Sequence, residues 1–255
     1  MFSIEDRDHV RDRMLDLASS DTRVVGGAVV GSLAHHEGDR WSDLDLTFSV
    51  ADGVPVLDVL NDWTSTVESE FGAVHLFDLP SGATIYRVFL LPGCLQFDLS
   101  FTPAAEFAAR GANFRLLFGS AVEKPFPQPP SPHELFGYAV HHALRARFCI
   151  ERGRFWQAEY WISSVRDYGL SLACLRRDLP ARNGRGFDAL PAEVHAAFRD
   201  ALVRSLEREE LLRALRSAIA GLLRETDQIQ DMAASVEAQL RELTVAWESS
   251  PGTHP

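Results

Sequence analysis

Apolar and polar residues alternate with a period of two in two short stretches, Asp43-Leu44-Asp45-Leu46-Thr47-Phe48 and Leu95-Gln96-Phe97-Asp98-Leu99-Ser100-Phe101. That period belongs to a strand with one buried face, so Leu44, Leu46 and Phe48 share one side while Asp43, Asp45 and Thr47 share the other. In the second stretch Leu95, Phe97, Leu99 and Phe101 face one way and Asp98 the other. Residues 23–31 read as a strand that ends in Gly31-Ser32, 43–50 as the next and Ala73 to Asp78 as a third. Thr84 to Leu91 and Cys94 to Phe101 read as a hairpin around Pro92-Gly93. A capping pair, Ser3 with Asp6, precedes Val10, Met14, Leu17 and Ala18 at helical spacing and predicts a helix over 4–19. Val56, Leu57, Leu60, Trp63 and Val67 predict another from Pro55 to Phe71.

The pattern changes at 119–132, Gly-Ser-Ala-Val-Glu-Lys-Pro-Phe-Pro-Gln-Pro-Pro-Ser-Pro, where proline excludes helix and central strand and favours an extended spacer. Beyond it the period is helical: about 133–152, 155–178, 191–206 and a long segment of about 207–246 broken near Gly221, followed by a polar tail, 248–255, expected to fray. The fold class predicted is α+β, an N-terminal mixed sheet with helices followed by an all-α helical bundle. The boundaries are 1–118 for the first domain, 119–132 for the linker and 133–250 for the second.

Two carboxylates on one strand face repel and raise each other's pKa unless a cation lies between them, so Asp43 and Asp45 are candidate Mg²⁺ ligands. Asp98 can reach them from a neighbouring strand. Gly31 lets backbone approach a phosphate closely, Ser32 adds a hydroxyl donor and Ser42 offers a second. An Asp-x-Asp pair alone is most often a solvated strand face. Gly-Ser at the end of an apolar strand, ten residues before the pair, is what lifts this one above that reading.

With these residues, Gly31-Ser32, Asp43-x-Asp45 and the distant Asp98, the chain resembles the nucleotidyltransferase superfamily that includes DNA polymerase beta. In architecture it is similar to the bacterial aminoglycoside and lincosamide nucleotidyltransferases. The resemblance covers residues 24–101 and is specific for the superfamily, not for the acceptor. It implies that Gly31 and Ser32 hold a nucleoside triphosphate, that Asp43 and Asp45 bind Mg²⁺, and that Asp98 completes the metal site or acts as general base on the acceptor hydroxyl. The activity implied is transfer of a nucleoside monophosphate, AMP from ATP or the equivalent from another NTP, to a hydroxyl of a small molecule such as an antibiotic. Two alternatives stand beside it: an antitoxin-type enzyme acting on a protein or RNA partner, and a non-catalytic nucleotide-binding regulator. Ribonuclease partners of such antitoxins carry Arg, four to six residues, then His, and no Arg of 133–255 stands at that distance before a His.

Charge narrows the acceptor. Residues 1–125 hold 19 Asp and Glu against 9 Lys and Arg, whereas 126–255 hold 17 against 16. No basic track for a long nucleic acid is visible, and an acidic rim attracts a small polycation, although it also serves solubility alone. On the helix from Arg154 to Tyr168, Trp156, Glu159, Tyr160, Ser163, Arg166 and Asp167 recur at three- and four-residue steps. Glu159 and Asp167 are therefore candidate acceptor contacts in a cleft between the domains, unless this face is core and internal ion pairs. Arg182 to Phe187 reads as a basic loop that either closes over a phosphate or merely connects helices. His35 and His36 fall in the loop before the Asp pair, with or without a role. His141 and His142, placed at the start of a helix and adjacent, do not make a zinc pair. No apolar run is long enough for a bilayer and the first residues lack a signal-peptide pattern, so a cytoplasmic location without membrane partners is expected. Cys94, Cys149 and Cys174 lie among apolar neighbours and read as reduced core thiols.

Overall fold

The computed structural model describes residues 1–35, 38–126 and 128–245, the side chain of His35 excepted. The chain divides into two compact units, Met1–Pro127 and Gln128–Pro255. His36, Glu37 and the 246–255 tail lie outside the described residues.

The first unit is a six-stranded mixed sheet with two helices. Its strands are β1 (Val24–Val30), β2 (Leu44–Val50), β3 (Val74–Ser81), β4 (Thr84–Leu91), β5 (Leu95–Pro103) and β6 (Phe114–Phe118). They lie in the order β3-β4-β5-β2-β1-β6. The β2–β5 pair is parallel, and the four other pairs are antiparallel. A parallel neighbour requires a crossover, and here the chain leaves β2 through α2 (Val56–Phe71), returns by the β3–β4 hairpin and then enters β5 beside β2.

Helix α1 (Ile4–Ser20) starts on the predicted capping box, Ser3 and Asp6 each bonding the other's backbone N–H. It and α2 cover one face of the sheet. Val10 and Met14 from α1 and Val59, Leu60, Trp63 and Val67 from α2 pack with Leu44, Leu46, Phe48, Phe97, Leu99 and Phe101. The Trp63 ring lies 5.0 Å from both Phe48 and Phe101. Burying side chains of this size stabilises by roughly 1.5–3 kcal/mol each, which fixes the side to which β2 and β5 turn their apolar residues.

The second unit holds α3 (Pro132–Glu151), α4 (Phe155–Leu175), α5 (Ala192–Arg199), α6 (Arg208–Leu222) and α7 (Gln230–Glu242). Ala139, Ala143 and Ala146 of α3 meet Ala158, Ile162 and Val165 of α4 and Ala214, Leu215 and Ala218 of α6 in one apolar core. An α+β unit followed by a helical one is the class expected from the periodicity. Residues 119–131 carry no helix or strand where described.

Several elements differ from expectation. The third strand runs to Ser81 rather than Asp78, and β6 was not anticipated. The long C-terminal segment does break near Gly221, as expected: α6 ends at Leu222 and α-helix resumes at Gln230. That glycine is also a packing site, because a Cβ there would stand 2.6 Å from the Phe198 ring. Helix α5 stops at Arg199, well before residue 206, and α4 stops at Leu175. Cys149 and Cys174 are buried thiols, but Cys94 is exposed in the β4–β5 turn.

Candidate active site

On the sheet face opposite α1 and α2, Asp45 of β2 is in register with Asp98 of β5, and Thr47 with Ser100. Neighbouring strands lie about 4.8 Å apart, so register alone puts the two carboxylates side by side. Asp43, just before β2, joins them. One carboxylate oxygen from each of Asp43, Asp45 and Asp98 lies within 4.8 Å of the other two. An all-oxygen, triply anionic set of this kind suits a hard divalent cation such as Mg²⁺.

The turn after β1 closes the site on its other side. Gly31 opens a single 3₁₀ stretch, Gly31–His35, at φ 71°. A Cβ on Gly31 would stand 2.4 Å from Asp45 Oδ2. Glycine is needed there both for the left-handed backbone and for the close approach. The turn is pinned from β6 and its approach: the Gly31 N–H donates to the Asn113 carbonyl at 3.2 Å, and Arg115 Nε donates to the Ala34 carbonyl at 3.0 Å. Ser32, the second residue of the turn, is half-buried.

Asp98 is half-buried and its carboxyl is pushed above the ordinary carboxylate value. Burial is the largest cause and the Asp43 charge adds to it, while hydrogen bonds involving Gln96 and Asp45 pull the other way. Gln96 Nε2 donates to Asp98 Oδ1 at 3.0 Å from two residues earlier on the same face.

The loop that delivers Asp43 has its own scaffold. Ser42 Oγ accepts the Asp39 N–H at 3.0 Å and donates to Asp39 Oδ1 at 3.2 Å. That hydroxyl therefore shapes the turn. Arg7 Nη1, buried on α1, donates to the carbonyls of Asp39 at 2.7 Å and Ser42 at 2.9 Å. Sequence reasoning missed Arg7, although a signal existed: it occupies the buried stripe of α1 with Val10, Met14 and Ala18, where a charge is unexpected unless it has partners. It also missed Gln96 and the β6 residues that hold the Gly31 turn.

The remaining candidates lie on the helical unit. Trp156 and Tyr160 are exposed rather than core. Glu159 accepts from Ser163 Oγ at 2.7 Å and Asp167 pairs with Arg166 at 2.8 Å, so both carboxylates are held by neighbours on α4. His141 and His142 sit in the middle of α3, not at its start. His142 packs 4.6 Å from the Trp161 ring, and burial lowers its pKa. Residues 182–187 belong to the connection between α4 and α5, where Phe187 packs beside Cys174 and Leu190.

No family model and no curated protein sequence matches the chain. Among solved structures it is similar to an aminoglycoside 6-adenyltransferase from Bacillus subtilis, with 11% identity, a TM-score of 0.36 and coverage of 92% of this chain and 97% of that one. It is also similar to JHP933 from Helicobacter pylori, with 13% identity, a TM-score of 0.29 and coverage of 94% and 99%. Among the described residues no helix is long and apolar enough to cross a membrane.

Proposed function

We propose that the chain is a Mg²⁺-dependent nucleotidyltransferase that moves a nucleoside monophosphate, AMP from ATP, to a hydroxyl of a small molecule. Aminoglycosides and lincosamides are the acceptor classes to test first. The observation that supports this reading is the row formed by the Gly31 turn, Asp45 and Asp98, with Asp43 completing three carboxylates within 4.8 Å. A phosphate-approaching turn beside a paired-carboxylate strand is the arrangement that phosphoryl-type transfer uses.

Asp43 and Asp45 would hold the ion, and Asp98 would either complete the site or take the acceptor's proton. When bound, Mg²⁺ neutralises charge on the triphosphate and on departing pyrophosphate. Gly31 lets the backbone reach the phosphates and Ser32 donates a hydroxyl to them. In the transfer a bond forms between the acceptor oxygen and the α-phosphorus, and the bond from that phosphorus to the bridging oxygen breaks. Pyrophosphate leaves with the electron pair, and the hydroxyl proton passes to Asp98 where that carboxylate stands off the ion, or otherwise to solvent. Residues 1–118 act as the catalytic domain and 133–250 as the acceptor-binding one, with Glu159 and Asp167 as acceptor contacts and the cytoplasm as the place of action.

The test follows pyrophosphate release from labelled ATP with Mg²⁺ across a panel of hydroxyl-bearing acceptors. Release that requires an acceptor, stops on chelation and is lost in Asp45→Asn supports the reading. No acceptor-dependent release with any member of the panel overturns it.

A further inference from the structure

The row that carries the carboxylates does not end at Asp98. Across the sheet Asp98 is in register with Val88 of β4, and Val88 with Phe77 of β3. One row runs Asp45, Asp98, Val88, Phe77 on a single face. The flanking rows have the same character: Gln96, Leu90 and Val74 on one side, Ser100, Tyr86 and Leu79 on the other. The open face thus changes from carboxylates on β2 and β5 to an uncharged strip on β4 and β3. In that strip Val74, Phe77, Leu79 and Leu90 are exposed by 41–58%, around Val88, which is buried. Four large apolar side chains gathered on one face mark a binding surface more often than chance exposure does.

The geometry of transfer says what covers them. Nucleophile and leaving group lie on opposite sides of the phosphorus in an in-line displacement. The Gly31 turn packs on Asp45 from the β1 side, so triphosphate held there directs the pyrophosphate toward β1 and leaves the Asp98 side to the attacking hydroxyl. At about 4.8 Å per strand, Phe77 lies roughly 10 Å beyond Asp98, about the reach of one ring or a short chain attached to that hydroxyl. We propose that Val74, Phe77, Leu79 and Leu90 form the acceptor subsite, and that the acceptor carries its reacting hydroxyl on an apolar body. The inference rests on the nucleotidyltransferase reading, and it adds the chemical class of the acceptor: amphipathic and without need of charge at this end.

Two uncharged probes that differ only in apolar reach, methyl and n-octyl β-D-glucoside below its micelle-forming concentration, test it by titration calorimetry and as acceptors in the pyrophosphate assay. Octyl glucoside is expected to bind about tenfold or more tightly than methyl glucoside. In Phe77→Ser with Leu79→Ser that ratio should fall to near one while ATP affinity and melting temperature hold, since both residues are exposed. Equal affinities for the two glucosides overturn the proposal. So does displacement of octyl glucoside by ATP, which would assign the strip to the nucleobase. A double variant that changes the sedimentation of the protein but not octyl glucoside affinity also overturns it, in favour of a contact between two copies. Pyrophosphate release with any acceptor reports on the transfer activity, and the octyl-to-methyl ratio reports on the strip, so the two readings fail separately.

Discussion

The two faces of the sheet are built from the same strands and answer to different physics. On one, Leu44, Leu46, Phe48, Phe97 and Phe101 are almost fully buried under α1 and α2. On the other, the residues between them, Asp45, Thr47, Asp98 and Ser100, present oxygen atoms in register. Alternation along a strand lets selection for stability and selection for chemistry act on adjacent residues with little interference. Substitutions on the helix side should therefore be read in the melting curve and those on the open side in turnover.

The largest separation is expected for Asp45→Asn. Turnover should fall about a thousandfold or more, roughly 4 kcal/mol of barrier, while the metal-free protein melts at the same temperature or higher because a like-charge repulsion is relieved. A variant that keeps near-native turnover removes Asp45 from the site. Phe97→Ala, fully buried on the helix side, should lose about 3–5 kcal/mol in a denaturant titration. A loss below 1 kcal/mol would mean that this face is not the core. Gly31→Ala joins the two readouts, because its Cβ would collide with Asp45 Oδ2 at a left-handed backbone position. About 2 kcal/mol of stability and about a hundredfold in turnover should go together, and unaltered kinetics would show that the turn does not set the Asp45 position.

Acid and base divide the faces as well. Asp21, at the end of α1, is held down to about 2, first by Arg23 and then by the Trp63 indole N–H, whose ring belongs to the helix-side core. A depressed carboxylate contributes stability above its ordinary value of 3.8 and loses it as pH falls toward about 2. Asp21→Asn should cost about 1–2 kcal/mol at neutral pH after solvent screening and flatten the stability profile in that acid window. Asp98 has the opposite sign. With its pKa raised, the folded metal-free protein binds that proton more tightly than the unfolded chain. Its contribution is therefore complete below the ordinary carboxylate range and lost as pH rises through the raised value. Asp98→Asn should remove this smaller loss, as followed by melting temperature between pH 3 and 7 without divalent ions. An unchanged slope would mean that the carboxyl is not strained by its surroundings.

The strands of the site were legible because each alternates an apolar face with a polar one, so period two survives in the sequence of β2 and β5. β6 was not, since Phe114-Arg115-Leu116-Leu117-Phe118 has apolar residues at four of five positions and no alternation. Its pairing with β1 is visible only in three dimensions. Gly221 did mark the break at the end of α6, but its contact with Phe198, distant in sequence, was not legible. The carboxylates and the Gly31 turn follow from spacing, but Arg7 and Gln96 act by positioning groups and carry no motif. The apolar strip escaped because β3 was expected to end at Asp78, which leaves Leu79 out of the row.

The parallel seam between β2 and β5 also sets an order of events. Every other strand pair closes through antiparallel contact, but this one waits until α2 and the β3–β4 hairpin have been laid down between its two halves. Asp45 and Asp98 are drawn together only at that closure, and their repulsion falls on a step that already carries the entropy of a long loop. A cation held by these carboxylates would thus serve the chain before it serves a substrate, as a clasp that hastens the closing of the seam and slows its reopening.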